Sequence, residues 1–184
     1  GLDYGSTLSS GVGVGVDGVK FSNRLGTTGA TIEVAPSGTT PINGDRSYVV
    51  KAGDGQAYVQ WGVQSLSLAA RAHFRLAAVP SATTRVMVLR NENEEPIANL
   101  YLAANGTVLL QAGRLEPIAS QTLAGVVNYS HGPVRLELWA DVAANTVSAR
   151  WGYAASGVGG AATLSTPLGG LPLTLAQFGK LLSS

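Results

Sequence analysis

The sequence predicts an all-β fold in which two antiparallel sheets close as a sandwich around one core. The first observation behind this prediction is a pair of alternating segments, residues 133–142 (PVRLELWADV) and 145–155 (NTVSARWGYAA). A period of two is typical of strands with one buried face. The second observation is that strand-like runs recur roughly every 8 to 14 residues, with turn residues between them. The third is that no segment keeps a helical period between recognisable caps.

Residues 133–155 are predicted to form a tight antiparallel hairpin. The joint between its strands, Ala143-Ala144-Asn145, is short, and Asn tolerates a left-handed backbone. We expect the first strand to bury one face and to turn the other outward. The inward set is Val134, Leu136, Leu138, Ala140 and Val142, and the outward set is Arg135, Glu137, Trp139 and Asp141.

The segments before this hairpin predict further strands. A tight turn is expected at Asp54-Gly55, and Asn105-Gly106 predicts a type I′ hairpin, because both central positions of that turn favour positive φ. The secondary structure of residues 118–127 is ambiguous. One interpretation is a short strand followed by a turn. The predicted strands are residues 31–34, 47–51, 57–62, 66–79, 85–92, 97–104 and 107–111.

The two ends of the chain complete the predicted organisation. Residues 157–160 and 166–172 are expected to be loops, and residues 173–180 to close the sheet beside the N-terminal strand. Gly and Val alternate over residues 11–16 with no helix pattern after them, which favours an edge strand, or an arm lying on a neighbour, over a phosphate-binding loop. We therefore divide the chain into a Gly/Ser/Thr-rich N-terminal segment, residues 1–30, and a single sandwich domain, residues 31–184.

The composition restricts the classes of partner. The chain has no Cys, its net charge is +1, and its charged residues are 12% of the total, against about 25% in a typical soluble domain. We expect no nucleic-acid partner and no membrane insertion, because the sequence has neither a basic patch nor an apolar run of spanning length. The low charge fits either a Gly-, Ala- and Val-rich secreted or GC-biased sequence, or a surface covered by neighbouring subunits.

Three stretches of the chain carry a family resemblance. They are ARAHFRLAAVPSATTRVMVLRN, IANLYLAANGTVLLQAG and PVRLELWADVAANTVSARWGYA. Over residues 47–180 the order of these strands resembles concanavalin A-like (laminin G-like) jelly-roll domains, and more narrowly those of actinobacteriophage virion proteins and related actinobacterial surface proteins. The family often has Trp where this chain has His131-Gly132-Pro133. The resemblance implies a two-sheet jelly roll in a virion or extracellular setting.

The sequence contains no recognisable catalytic or metal-binding constellation. Glu137 and Asp141 share a strand face, but they are four positions apart, about 13 Å along a strand, which is too far for a glycosidase pair. His73 and His131 are isolated, with no Gly-x-Ser-x-Gly nucleophile elbow. We therefore predict no catalytic residue, no metal site and no cofactor.

Aromatic residues are the stronger binding candidates. Trp139 lies on the polar parity of its strand and Tyr101 in another predicted strand, while Trp61 and Trp151 fall on apolar parities and are expected in the core. An outward indole can contact a sugar, contact a protein partner or pack under a loop. The predicted contact residues are Trp139, Tyr101, Arg135 and Glu137.

Three functions follow from these observations, in order of preference. The first is a non-enzymatic structural protein of a bacteriophage virion, a tail or tail-fibre domain or a capsid decoration, assembled as a homo-oligomer or with other virion proteins. The second is a carbohydrate-binding module or adhesin on a virion, secreted or on a bacterial surface, that uses a sheet face with Trp139 and Tyr101 to bind a cell-surface glycan. The third is a glycan hydrolase or lyase.

Overall fold

A computed structural model describes residues 7–8, 11–14, 20–25, 31–34, 48–52, 55–76, 79–113, 119–153 and 157–181. Within these ranges the chain forms fifteen strands and one 3-10 turn, Tyr129–His131, and it has no helix long and apolar enough to span a membrane. The strands are β1 Thr7–Leu8, β2 Gly11–Val14, β3 Lys20–Leu25, β4 Thr31–Val34, β5 Tyr48–Lys51, β6 Ala57–Ser65, β7 Ser67–Phe74, β8 Thr84–Asn91, β9 Pro96–Leu102, β10 Val108–Ala112, β11 Ala119–Thr122, β12 Val134–Asp141, β13 Thr146–Tyr153, β14 Val158–Ser165 and β15 Leu173–Leu181.

Two antiparallel sheets pack face to face and confirm the predicted sandwich. One sheet has eight strands in the order β11-β10-β9-β8-β15-β6-β3-β2, and the other has four in the order β14-β13-β12-β7. A further small sheet has the order β1-β4-β5. The two large sheets share one hydrophobic core, an arrangement compatible with a jelly roll.

The core is built from the apolar residues on the inward faces of the two large sheets. In β12 burial alternates along the whole strand, as the sequence predicts, because successive side chains of a strand point to opposite faces. The eight-stranded sheet contributes the same kind of apolar layer from β8, β9 and β10. The largest fully buried side chains are Met87, Leu89, Ile97, Leu100, Leu102, Leu110, Leu123, Leu136, Leu138, Leu168 and Leu173.

The hairpin of β12 and β13 is confirmed, including its turn. Asn145 has a φ of 54°, the left-handed conformation that Asn tolerates, and its N–H donates to the Val142 carbonyl. Its side-chain oxygen accepts the Leu168 N–H at 2.9 Å, which ties the turn to the loop before β15. This Asn therefore joins a turn and a distant loop, and the loop predicted at residues 166–172 is present.

The second predicted hairpin is present, but its turn type is not the expected one. Strands β9 and β10 pair in antiparallel register, and the Gly106 N–H donates to the Ala103 carbonyl at 3.0 Å. Gly106 has a φ of 83°, whereas Asn105 is not among the positive-φ residues, so the type I′ prediction is wrong. A single left-handed Gly after the turn is typical of a longer hairpin loop with a bulge.

Strand β14 contradicts the prediction of a loop over residues 157–160. Its sequence, VGGAATLS, has too little apolar alternation to be recognised as a strand. Strand β14 forms because it pairs with β13 along its length and because Trp151 of β13 packs over the glycines of β14. The indole Nε1–H of Trp151 donates to the Ala124 carbonyl at 2.9 Å, and the residue is 4% exposed, which confirms it in the core.

Two further predictions differ in detail from the structure, and the ambiguous segment follows the interpretation of a short strand and a turn. The closing strand β15 lies between β6 and β8, not beside the N-terminal strand, because its apolar face completes the middle of the eight-stranded sheet. Trp61 is only partly buried and meets the Phe178 ring edge-on with centroids 5.2 Å apart. The ambiguous segment contains the short strand β11 followed by a turn.

The N-terminal segment contributes strands to the large sheet. Strand β2 lies at the sheet edge, as the alternating Gly and Val residues predict, and β3 pairs with β6. Apart from β1, β2 and β3, residues 1–30 lie outside the described residues, as does the Asp54 half of the predicted turn. The described strands therefore continue the sheet across the boundary drawn at residue 30.

The contact between Gly160 and the Trp151 hydrogen bond gives a stability prediction. A Cβ added at Gly160 would clash with the Ala124 carbonyl and approach Trp151 Nε1 to 2.6 Å. We expect Gly160→Ala to lower the free energy of unfolding by about 1–3 kcal/mol, the usual effect of overpacking, as measured by urea denaturation.

Gly62→Ala is the matched control, because Gly62 is exposed on a strand with open space around it. Its effect on the free energy of unfolding should stay within about 0.5 kcal/mol. Equal effects of the two substitutions would contradict the packing described for Trp151.

Candidate functional site

The outward side of the four-stranded sheet carries a cluster of charged and aromatic side chains. We call it the tryptophan–arginine face and define it by Arg71, His73, Arg135, Glu137, Trp139 and Arg150. The alternation of β7, β12 and β13 places these residues opposite the core. The register sets Glu137 between Arg71 on one neighbouring strand and Arg150 on the other. Cross-strand neighbours of this kind are close enough for their side chains to interact.

Glu137 is held by two arginines. Its Oε1 lies 2.8 Å from Arg71 Nη2 and 3.5 Å from Arg135 Nε. The side chain of Glu137 is 14% exposed, whereas that of Arg71 is 63% exposed, so the carboxylate lies low against the sheet and the Arg71 guanidinium remains in contact with solvent. A guanidinium has five N–H donors, so these two arginines keep donors beyond those that Glu137 accepts.

Trp139 lies two residues after Glu137 on β12, so both side chains are on the same side of the sheet. Its cross-strand neighbours are small, Ala69 on β7 and Ser148 on β13. The guanidinium carbon of Arg150 lies 5.1 Å from the ring centroid, within the range of a cation–π contact. Trp139 is partly buried, and Arg150 is exposed. The indole is therefore a positioned, partly buried aromatic ring on the outward side of the sheet.

His73 faces the same arginines. Its register partner on β12 is Arg135. Partial burial lowers the pKa of His73 below its ordinary value, the Arg135 and Arg71 charges lower it further, and Glu137 opposes them. The His73 imidazole is therefore protonated less readily than that of a free histidine. The permanent positive charges of the face come from the arginines.

The second outward carboxylate belongs to the hairpin turn. Asp141 Oδ1 accepts the Ala144 N–H at 2.8 Å. On the same strand Glu137 is in contact with its two arginines, so the two carboxylates serve separate local contacts.

Among the described residues, no three His, Cys, Asp or Glu side chains gather where they could hold a metal ion. With three arginines and one carboxylate, the face has the donors and the charge to bind an anion.

The structure separates Tyr101 from the other three predicted contact residues. Arg135, Glu137 and Trp139 lie together on β12, but Tyr101 lies on β9 in the eight-stranded sheet, beside Leu109 and Arg85. Its neighbours Leu100 and Leu102 are fully buried, so Tyr101 points away from the core on the opposite side of the sandwich. The hypothesis of one sheet face containing both Trp139 and Tyr101 is therefore wrong, because parity alone does not tell to which sheet a strand belongs.

A buried row of polar side chains on the eight-stranded sheet was not predicted from the sequence. Gln177 Nε2 donates to Gln60 Oε1 at 2.8 Å, and Arg90 Nε donates to Gln177 Oε1 at 2.9 Å. Nearby, Arg85 Nη1 donates to Asn99 Oδ1 at 3.3 Å.

Burial, followed by the charge of Arg85, lowers the pKa of Arg90. The polar parity of these strands is visible in the sequence, but their adjacency is not, since Gln60 and Gln177 are far apart in the chain. Because Gln60, Gln177, Arg85 and Asn99 are all buried, the tryptophan–arginine face is the accessible candidate site.

Comparisons with known proteins do not assign this chain to a family. Neither a scan against protein-family models nor a search among curated proteins finds a match for this chain.

Proposed function

We propose that this chain is a non-enzymatic structural module of a bacteriophage virion, a tail or tail-fibre domain or a capsid decoration, and that it assembles as an oligomer. The resemblance of its strand order to virion jelly-roll domains supports the proposal, as does the low fraction of charged residues, 12%. A surface with few charges is typical of proteins whose surface is shared with neighbouring subunits.

The observation that carries the proposal is the edge strand β14. In the part of the chain that the structure describes, β14 pairs with β13 on one side and ends the four-stranded sheet on the other. Its eight residues, VGGAATLS, include no charged residue and no Pro. Natural sheets usually protect an edge strand with charged residues or Pro, because an open edge is a template for pairing with another chain. Strand β14 is therefore suited to pair with a second copy of itself and to extend the sheet.

The test is a charge placed in the middle of this edge strand. Ala161 is exposed and lies opposite Arg150 in register, so Ala161→Glu adds an opposite-charge pair within one copy and should preserve folding. Antiparallel pairing of two copies through β14 would bring two carboxylates together. We expect light scattering to give a multiple of the 18.8 kDa chain mass for the wild type and 18.8 kDa for the variant.

Ala143→Glu is the control for this experiment, because Ala143 is an exposed turn residue away from the edge. This variant should keep the wild-type mass. A wild type that stays monomeric at all concentrations and does not associate with virions would contradict the structural proposal. An oligomer that persists in Ala161→Glu would contradict the role of β14.

A second candidate function is glycan binding at the tryptophan–arginine face. The observation that favours it is the partly buried Trp139 on the outward side of the sheet, between Ala69 and Ser148 in register and with the Arg150 guanidinium over its ring. Aromatic rings with one accessible surface and a polar rim are typical of sites that bind amphipathic partners. This candidate is compatible with the first, because a virion protein can also contact the surface of its host.

A glycan array tests this second candidate. We expect the wild-type chain to bind at least one cell-wall glycan and Trp139→Ala to lose most of that binding. Trp61→Ala is a comparison variant, because Trp61 lies in the other sheet. Absence of binding to every glycan on the array would remove this candidate and would leave the structural proposal unaffected.

A further inference from the structure

We infer that the tryptophan–arginine face binds a carboxylate-bearing polysaccharide, one whose sugars include uronic acids. This inference rests on the second candidate function, glycan binding, and names the chemistry of the glycan. It depends on the charges around Trp139, on the donors that these charges leave open and on the spacing between the ring and the arginines.

The face carries an excess of positive charge. Three of its residues are arginines and one is a carboxylate, so the formal charge of the face with a neutral His73 is +2 (three minus one). Asp141, the next outward carboxylate on the strand, is bound to the backbone of its own turn. The whole chain has a net charge of +1, so the excess is a local feature and is complementary to an anionic ligand.

The open donors suit a carboxylate. Arg71 already contacts the Glu137 carboxylate at 2.8 Å, and its side chain is 63% exposed. The planar fork of a guanidinium matches a carboxylate group and can bind it through two parallel hydrogen bonds. Arg150 is exposed, and its guanidinium lies over the Trp139 ring, so its orientation is set before a ligand arrives.

The spacing lets one ligand use both the ring and the charges. Trp139 and the row that contains Glu137, Arg71 and Arg150 are two residues apart along β12, a distance of roughly 6.6 Å. A sugar ring stacked on the indole would therefore hold an acidic substituent over the arginine row. The hydroxyls of Ser148 on β13 and Thr163 on β14 lie 2.8 Å apart. Thr163 is exposed, so its hydroxyl adds a hydrogen-bonding group on this side of the sheet.

The experiment is calorimetric titration of the full chain with three polymers. Polygalacturonate carries carboxylates, dextran is neutral, and poly(glycerol phosphate) carries phosphates. We expect polygalacturonate to bind at least tenfold more tightly than either of the others and to weaken as salt rises from 0.05 to 0.5 M, because salt screens exposed charges.

Variants locate the binding on the face. Arg150→Ala should weaken polygalacturonate binding at least tenfold, and Arg150→Lys should fall between it and the wild type, because Lys keeps the charge but loses the planar fork. Lys51→Ala removes an exposed charge of the small β1-β4-β5 sheet and should change the affinity less than twofold. Circular dichroism checks that each variant keeps its β structure.

The outcomes separate this inference from the function on which it rests. Dextran binding as tight as polygalacturonate binding, and lost in Trp139→Ala, would overturn the inference and keep glycan binding. Tighter binding of poly(glycerol phosphate) would overturn the choice of carboxylate. A loss in Lys51→Ala as large as that in Arg150→Ala would show that binding follows overall charge and would overturn the assigned face.

Discussion

Strand β12 pairs on both sides and buries every second side chain, and the rest of the structure depends on this constraint. Val134, Leu136, Leu138 and Ala140 lie in the core with almost no exposure. A slip of one residue against β7 or β13 would turn these four side chains outward and bury Arg135, Glu137 and Trp139. The register is therefore strongly determined. The core and the tryptophan–arginine face are two consequences of the same alternation, so neither changes without the other.

This constraint also links the two proposed functions. The face lies on β7, β12 and β13, and the next strand, β14, is the edge strand of that sheet among the described residues. Pairing of two copies through β14 would set two such faces side by side on one continuous sheet. A polymeric ligand would then meet repeated sites, and linked sites raise the apparent affinity through effective concentration without any new contact. The proposed oligomeric virion module and the proposed glycan site are therefore compatible parts of one arrangement.

Features that depend on local periodicity could be predicted from the sequence, and features that depend on adjacency could not. The alternation of residues 133–142 and the left-handed Asn145 are local, and the structure confirms both. Strand β14 was missed because its glycines and alanines have little apolar signal; its stability comes from β13 and Trp151. The site was predicted in part, since Trp139, Arg135 and Glu137 share a strand. Arg71 and Arg150 were missed as members of the face because strand pairing brings them there, and Tyr101 was misplaced for the same reason.

An alanine scan along β12, read as the free energy of unfolding in urea, tests the central claim most directly. The alternation predicts losses of about 2–5 kcal/mol for Leu136→Ala and Leu138→Ala, because each leaves a cavity between the sheets. It predicts a loss of no more than about 1 kcal/mol for Arg135→Ala, which removes a partly exposed ion pair. Equal losses at positions 135, 136 and 138, or a larger loss at the arginine than at the leucines, would contradict the claim.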